Sequence, residues 1–260
     1  MNRRRIFSGA ITAFVLLFFY APLWVLVANS FNASRFGGTW EGFTLHWYSD
    51  LARNREVLEA FQRTLKIAIA ATPVATILGT IAAFALHRFH TRVQSVHLIL
   101  VQLPLVLPEI LIGFSLLLFF VATGWSLGMT AIWVAHVTFC VSFVAMIILA
   151  RLQDFDFTLL DAARDLGATG WKATYCILLP SLWPGILAGA LLAFTLSIDD
   201  FVITFFVSGP GTTTLPVQIY SMMKTSRSLP VINALTTILL LATITLVTTI
   251  QWLTRSTRRS

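Results

Sequence analysis

Three carboxylates interrupt apolar stretches of this chain that are long enough to cross a membrane. Glu109 lies within LPLVLPEILIGF, and Asp199 and Asp200 lie side by side within LAFTLSIDDFVITFF. A charged side chain at the centre of a membrane helix costs about 2.5 to 3.5 kcal/mol, and no Lys or Arg lies deep in these stretches to offset it. We therefore expect each acid to carry a proton, to pair with another subunit or to bind a cation.

The same acids also have structural interpretations. Pro108 followed by Glu109 is typical of a helix start, where proline fits the first position and an acid favours the helix N-terminus. Pro104 and Pro108 would then break the third apolar stretch, and broken membrane helices occur only where they line a cavity or pack on protein. Asp199 and Asp200 point about 100° apart on a helix, so at most one faces a shared path. Contact with a translocated cation and a purely structural or gating role both remain open.

The composition indicates what kind of scaffold holds these acids. The 260 residues are 57% hydrophobic and only 11% charged, against about 25% charged in soluble domains, and the mean hydropathy is +0.82. About 20 apolar residues make one helical crossing, and longer, evenly apolar runs exclude barrel strands. We predict an all-α integral membrane protein, a single domain over 1–260, with six transmembrane helices at about 9–31, 64–86, 98–121, 130–150, 182–206 and 232–253.

The basic residues indicate the orientation of these helices. The net charge is +7, but Lys and Arg lie at the ends of the spans, so nucleic acid is not a predicted partner. Eleven of the 18 Lys and Arg residues lie on the side of the N-terminus and seven on the other. Because cytoplasmic loops carry the excess of positive charge, both termini and the loop at 151–181 are predicted to be cytoplasmic.

Two segments outside the spans have distinctive sequences. The outer segment at 32–63 carries Trp40, Trp47 and Tyr48, which suit either a surface on the lipid headgroups or a docking surface for an external partner. In the loop, Thr158 and Thr169 are predicted to cap two short helices, with a left-handed stop at Gly167 between them. Pro180 is predicted to close the second helix, which runs to Leu178.

No sequence motif points to chemistry catalysed by this chain. Its sequence contains no GxSxG, HExxH or GxxxxGK[ST] pattern, and no acid or cysteine completes a metal set with its histidines. We therefore predict no catalytic residue, no metal ligand and no cofactor here. If the protein moves a solute with energy from ATP, another chain must bind the ATP.

The loop at 151–181 resembles the EAA loop of permease subunits of bacterial ATP-binding cassette importers. The residues that carry this resemblance are Asp161, Ala162, Ala163, Gly167, Ile177, Leu179 and Pro180. Asp161 stands where the family usually has Glu, which keeps the charge and shortens its reach by one methylene. In this family the loop forms a coupling helix that docks on the ATPase and transmits its closure to the membrane helices. From Pro180 to Asp199 the chain would form about 28 Å of helix.

The resemblance to one branch of the family extends over roughly 20–253. NSFNASRFGGTWEGFTLHWYSDL, LPEILIGFSLLLFF, AHVTFCVSF, LAFTLSIDDFVITFFVSGPGTTTLP and VINALTTILL look like spermidine/putrescine importer permeases, and more like the second of their two permease subunits. Membership implies a multi-pass protein of the bacterial inner membrane, paired with a related permease. It also implies an ATPase dimer that binds ATP and magnesium, and an extracytoplasmic polyamine-binding protein. The acids Glu109, Asp199 and Asp200 would then line the path of a polyamine.

Two other functions remain as alternatives. A proton- or cation-coupled carrier acting alone would also place acids in the membrane, but it needs no docking loop and usually has an inverted repeat, which we do not find. An importer permease for another small solute is the second alternative. A path for anions would be expected to carry Lys or Arg at depth, and the spans have none.

Overall fold

A computed structural model describes residues 3–36, 39–89, 92–224 and 229–257. Helices dominate this described part, which contains no strand beyond an isolated bridge between Asn32 and Phe43. The helices are α1 (Arg3–Ser30), α2 (His46–Arg53), α3 (Arg55–Arg88), α4 (Gln94–Val106), α5 (Glu109–Ala122), α6 (Met129–Gln153), α7 (Thr158–Asp165), α8 (Gly170–Ala173), α9 (Leu179–Asp199), α10 (Val202–Val207), α11 (Leu215–Lys224) and α12 (Leu229–Thr257).

Four of the helical segments are long and apolar enough to cross a membrane. They are Phe7–Ser30, Arg55–Arg88, Met129–Gln153 and Gly170–Asp199, and the last joins α8, a π-helical turn and α9. A fifth candidate is the pair α4 and α5, which is bent by 110°. In α12 the apolar stretch whose side chains are described, Leu229–Thr245, is shorter. The all-helical scaffold is thus confirmed, with four or five candidate spans among the described residues.

Two predicted spans are interrupted in the structure. The third breaks at Leu107, whose extended backbone precedes Pro108, whereas Pro104 lies inside α4 without ending it. The fifth was expected to run unbroken over 182–206, which is wrong: α9 ends at Asp199 and α10 begins at Val202. Here the side chain of Asp200 accepts hydrogen bonds from the backbone that follows, which competes with continuation of the helix.

Two compact units make up the chain, and each is described by itself. The first contains Met1–Leu58 and Gln218–Ser260, where α12 packs against α1 and α2. In its polar loop, Asn32 Nδ2 donates to the carbonyl of Thr39 at 2.8 Å, and Trp47 Nε1 donates to the carbonyl of Asn32 at 2.7 Å. These bonds fold the predicted outer segment onto a buried asparagine and leave Trp40 exposed.

The second unit is Glu59–Val217, and α6 is its central helix. Packing of α9 along α6 is close because α9 carries small residues: a Cβ added to Gly189 would lie 3.2 Å from Val144 Cγ1. The α10 helix packs against both α5 and α6. This arrangement brings the two breaks, after α4 and after α9, to the same region of one unit.

Some residues used in the sequence analysis cannot be located. Arg227, Arg258 and Arg259, which entered the charge count, lie outside the described residues, as does His90.

A short turn joins α5 to α6, and its glycines Gly124 and Gly128 have positive φ, 69° and 145°.

Candidate functional site

The predicted acids lie at two helix starts within the unit Glu59–Val217. Glu109 is the first residue of α5, and Asp200 lies two residues before the start of α10 at Val202. Both are therefore near backbone N–H groups that have no partner within their own helix, which is a favourable place for a carboxylate. Glu109 therefore starts a helix, as the structural interpretation predicted, and also lies beside the other acids.

Asp200 is buried and accepts four hydrogen bonds. Its Oδ1 accepts from the backbone N–H of Ile203 at 3.2 Å, and its Oδ2 accepts from the backbone N–H of Thr204 at 2.8 Å. Oδ2 also accepts from the Thr204 hydroxyl at 2.6 Å and lies 3.2 Å from His136 Nε2. A buried carboxylate needs such compensation, because an unpaired one would lose its hydration without replacement.

Asp199 and Glu109 have different surroundings from Asp200. Asp199 ends α9 and is exposed, so the two neighbouring aspartates do not share one environment. Glu109 is half-buried, and its carboxyl lies within hydrogen-bonding range of Asp200, with Asp199 also close enough to act on it electrostatically. Two carboxylates this close repel each other unless a proton or a cation lies between them.

Close packing of α5 on α10 produces this approach. A Cβ added to Gly113 would lie 2.9 Å from Phe206 Cδ2 and 3.2 Å from the Cα of Ile203, so a larger residue there would have to displace the Phe206 ring and α10. Beside this contact, the ring of Phe114 on α5 meets the ring of Phe206 on α10 edge to face, with their centroids 6.1 Å apart. The structure thus brings Glu109 close to Asp199 and Asp200, which the sequence had placed on a different span.

Sequence reasoning assigned no role to His136, which the structure places beside Asp200. His136 is buried in α6, and both its ring nitrogens lie within hydrogen-bonding distance of polar groups on the other elements. A polar residue inside a membrane span is itself a signal, since such residues usually face the protein interior and are bonded there. Nothing in the sequence showed which side chains it would meet.

The first helix of the loop at 151–181, α7, begins differently from the prediction. Phe157, and not Thr158, is the N-cap residue and makes no side-chain cap, while Asp156 just before it accepts from the Thr158 backbone N–H at 3.0 Å and from the Thr158 hydroxyl at 2.7 Å. Thr158 is the first helical residue, so its own hydroxyl donates instead of accepting. These two bonds hold the pKa of the Asp156 carboxyl below its usual value.

The predicted left-handed stop at Gly167 is confirmed, with φ at 84°. The Ala168 N–H donates to the carbonyl of Ala163 at 3.0 Å, and the Gly167 N–H donates to the carbonyl of Arg164 at 2.8 Å. This is the bonding pattern of a Schellman motif, which satisfies the last carbonyls of the helix and turns the chain sharply. Arg164 also pairs with Asp161, from Nη1 to Oδ1 at 3.0 Å, on the exposed side of α7.

The second helix does not end where it was predicted to end. Thr169 caps it as expected, accepting from the Lys172 N–H at 3.3 Å, but the chain continues through a π-helical turn at Thr174–Leu178 into α9. Pro180 therefore lies in the first turn of α9 and does not close a helix. The wider π turn explains this, because it displaces the carbonyl that a proline ring would otherwise meet one turn earlier.

Apolar side chains on the outer surface of this loop stand in solvent. Leu166 is 90% exposed and Trp171 is 81% exposed, whereas Leu160 is buried against the unit. At the start of the loop, the Phe157 ring stacks on the His87 ring at the end of α3, with centroids 4.8 Å apart. Leu179 is half-buried, Ala162 is exposed and Ala163 is half-buried. The loop is thus anchored on one side and presents uncovered apolar surface on the other.

Long apolar helices, interrupted at acids and joined by a capped helical elbow, are the architecture of a membrane transport subunit. A family model described as "binding-protein-dependent transport system inner membrane component" matches residues 75–259. The chain belongs to this family of membrane permeases, and the family assignment made from the EAA loop is confirmed.

Two curated relatives are similar over most of their length. The chain is 46% identical over 230 residues to the putrescine transport system permease protein PotI of Escherichia coli strain K12, covering 86% of this chain and 82% of the relative. It is 39% identical over 251 residues to the spermidine/putrescine transport system permease protein PotC of the same strain, covering 96% of this chain and 95% of the relative.

Solved structures share the fold at low sequence identity. A chain of a bacterial ABC transporter involved in the import of the acidic polysaccharide alginate matches with a TM-score of 0.74 and 13% identity, covering 96% of this chain and 98% of that chain. A second alginate transporter structure, in complex with an alginate pentasaccharide-bound periplasmic protein, matches with a TM-score of 0.69 and 14% identity, covering 93% and 90%. At this identity the likeness establishes the fold alone.

Proposed function

We propose that this permease forms half of the translocation path for a polyamine, such as putrescine or spermidine, in an ATP-binding cassette importer. The observation that carries the substrate class is the convergence of Glu109, Asp199 and Asp200 in one unit of a membrane helical scaffold. Polyamines are extended cations with several charges, and the relatives named for putrescine and spermidine transport support this class. Carboxylates in a medium of low dielectric attract such cations strongly.

Glu109 and Asp199 are the acids best placed to contact the amine. Asp200 already accepts four hydrogen bonds, whereas Asp199 is exposed and Glu109 is half-buried. Since a path must release its cargo, we expect these two carboxylates to form a transient gate and not a deep binding site. In this proposal the positive charge of an ammonium group at Glu109 and Asp199 also offsets the repulsion between the carboxylates of Glu109 and Asp200, which a proton would otherwise relieve.

The coupling loop at 151–181 is the proposed contact with an ATPase dimer that binds ATP and magnesium. Uncovered apolar side chains at Leu166 and Trp171 suit burial against a partner, and the exposed pair Asp161 and Arg164 would border that contact. From Leu179 to Asp199 the helix is continuous over 21 residues, about 32 Å at 1.5 Å per residue. Displacement of the loop would therefore be transmitted directly to the acids.

The chain is proposed to form one domain over 1–260 that crosses the membrane six times. Both termini would then lie in the cytoplasm. Four long helices, the bent pair α4 and α5 counted as one crossing, and α12 give this number. The complete importer would then contain a related second permease and an extracytoplasmic polyamine-binding protein. The membrane would be the bacterial inner membrane, as the family description suggests.

Uptake by the reconstituted importer tests the substrate and the acids together. The chain is assembled in proteoliposomes with its second permease, its ATPase and its binding protein, and entry of radiolabelled putrescine and spermidine is measured. Glu109→Gln and Asp199→Asn each remove a charge that would bond to the amine. Each is expected to lower the initial rate of uptake roughly tenfold or more. The control is Asp50→Asn, which removes an acid from α2 that pairs with His46.

Each alternative function has a distinct outcome in this assay. Unchanged uptake in a variant with both Glu109→Gln and Asp199→Asn would refute the role of the acids. Uptake by this chain alone, driven by an ion gradient without ATP, would identify a lone carrier. Accumulation of an anion, with no entry of either amine, would identify a permease for another solute.

A further inference from the structure

The α6 helix contributes a buried side chain to the acidic site that the proposed transport mechanism does not yet use. His136 is 2% exposed, and its Nε2 lies 3.2 Å from Asp200 Oδ2 and 2.9 Å from Thr204 Oγ1. Its Nδ1 lies 2.8 Å from Ser197 Oγ. One imidazole therefore connects α6 to both sides of the break between α9 and α10.

The hydrogen-bonding capacity of these groups determines which nitrogen carries the proton. An ionised carboxylate can only accept, so Nε2–H donates to Asp200, and the Thr204 hydroxyl, which donates to the same Oδ2, can also accept from it. Nδ1 then accepts from the Ser197 hydroxyl in the neutral ring. In this arrangement every polar atom of the imidazole has a partner, so the ring orientation is fixed.

From this geometry we infer that His136 is a positioning residue of the cation path: it holds Asp200 in place so that Glu109 and Asp199 can receive the amine. This inference rests on the proposed polyamine transport. Asp200 is oriented by its four donors, and Glu109 approaches it from α5. If the Asp200 carboxylate could rotate, the distance between it and Glu109 would vary, and Glu109 would no longer be held in one position to receive the amine.

The charged and polar groups around the ring come from several elements. Glu109 acts on it electrostatically from α5 and Asp200 lies within hydrogen-bonding distance at the break, while Ser197 of α9 and Thr204 of α10 contribute hydroxyls. No Lys or Arg takes part in the hydrogen bonds or ion pairs of these residues in the described part of the chain. The His136 N–H is thus the only side-chain nitrogen that donates to Asp200 there.

The test compares two His136 variants in the complete reconstituted importer. His136→Leu removes the donor, and the loss of a hydrogen bond to a buried charge predicts a roughly 10- to 100-fold fall in putrescine transported per ATP hydrolysed. His136→Gln keeps an N–H donor on a shorter, uncharged side chain and is expected to restore part of that ratio. Stimulation of ATP hydrolysis by loaded binding protein is expected to persist in both, since the coupling loop is untouched.

A control on the same helix separates positioning from packing. Cys140 lies one turn further along α6, is buried, and donates its thiol to the carbonyl of Ala193 without contact to the acids. Cys140→Ala is expected to leave the transport ratio unchanged. An equal fall in Cys140→Ala would mean that any loss of packing in α6 lowers the transport ratio. An equal fall in His136→Leu and His136→Gln would mean that the N–H donor is not the property that matters. Either result would overturn the inference.

A double-mutant cycle shows whether His136 acts through Asp200. If it does, His136→Leu has little further effect on the transport ratio once Asp200→Asn is present, because interacting residues are non-additive. Effects that multiply would refute the inference while leaving the proposed function intact. If instead Glu109→Gln and Asp199→Asn transport normally, the proposed function itself fails, which is a distinguishable result.

Discussion

At the scale of single residues, two adjacent aspartates have opposite environments. Asp199 ends α9 and is exposed, whereas Asp200 is buried and bonded to His136 and Thr204. The break in the backbone between α9 and α10 is the reason, since an unbroken helix would place the two only about 100° apart on one surface. The stability of the fold is therefore expected to depend on Asp200 far more than on Asp199.

Substitution of each aspartate by asparagine separates these dependences. Asp200→Asn places an amide where buried donors need a carboxylate, and we expect it to lower the free energy of unfolding by about 1 to 3 kcal/mol. Asp199→Asn is the matched control for stability and is expected to change it by less than about 0.5 kcal/mol. Thermal unfolding of the purified permease in detergent measures both, and equal losses would contradict the assignment of Asp200 as the structural member.

At the scale of elements, the coupling loop is a helical elbow whose bend depends on one backbone conformation. Gly167 has φ at 84°, and a Cβ added there would meet nothing within 4 Å, so the conformation and not space requires glycine. On its far side, the π turn carries the chain into α9 without a break. From Gly170, three residues after the bend, the chain is thus one continuous helical segment as far as Asp199.

Gly167→Pro tests the elbow. Proline fixes φ near −65° and removes the N–H that donates to Arg164, so the bend cannot form. We expect the variant to insert into the membrane but to lose the stimulation of ATP hydrolysis by loaded binding protein in the reconstituted importer.

Gly170→Ala is the matched control for this prediction. It lies in the same loop with open space around it and without positive φ, and it is expected to retain full stimulation. Normal stimulation in Gly167→Pro would contradict the coupling role of the loop.

At the scale of the whole molecule, the native cysteines report which side of the membrane the loop occupies. Cys176 is exposed and lies in the coupling loop, whereas Cys140 is buried in α6. A thiol reagent that cannot cross the inner membrane is expected to label Cys176 in inside-out vesicles. It is not expected to label Cys176 in cells whose outer membrane alone has been permeabilised. The bound ATPase is expected to protect it.

Two variants make the labelling experiment decisive. Cys176→Ser is expected to abolish the label, and Trp40→Cys, in the exposed part of the predicted outer segment, is expected to be labelled only from outside. Labelling of Cys176 from the outer side would reverse the predicted orientation. Labelling of both positions from one side would mean that the chain between them crosses an even number of times, which would exclude counting α4 and α5 as one crossing.

Local sequence signals predicted part of the fold and the site correctly. The left-handed Gly167, the Thr169 cap and the break at Pro108 depend on residues close in the chain, so their types are sufficient evidence. The end of the second short helix was predicted wrongly at Pro180, because the π turn that tolerates this proline has no local signal. The Thr158 cap was likewise displaced by Asp156, two residues earlier.

The sequence by itself determined that this is a helical membrane permease with acids in its spans, because hydrophobicity, helix caps and the EAA loop are local properties. Only the tertiary structure decided which groups meet. Gly113 admits α10 against α5, and this packing brings Glu109 to Asp200. His136 joins them from α6, 64 residues before Asp200. Such contacts depend on the packing of three helices at once, which no single stretch of sequence encodes.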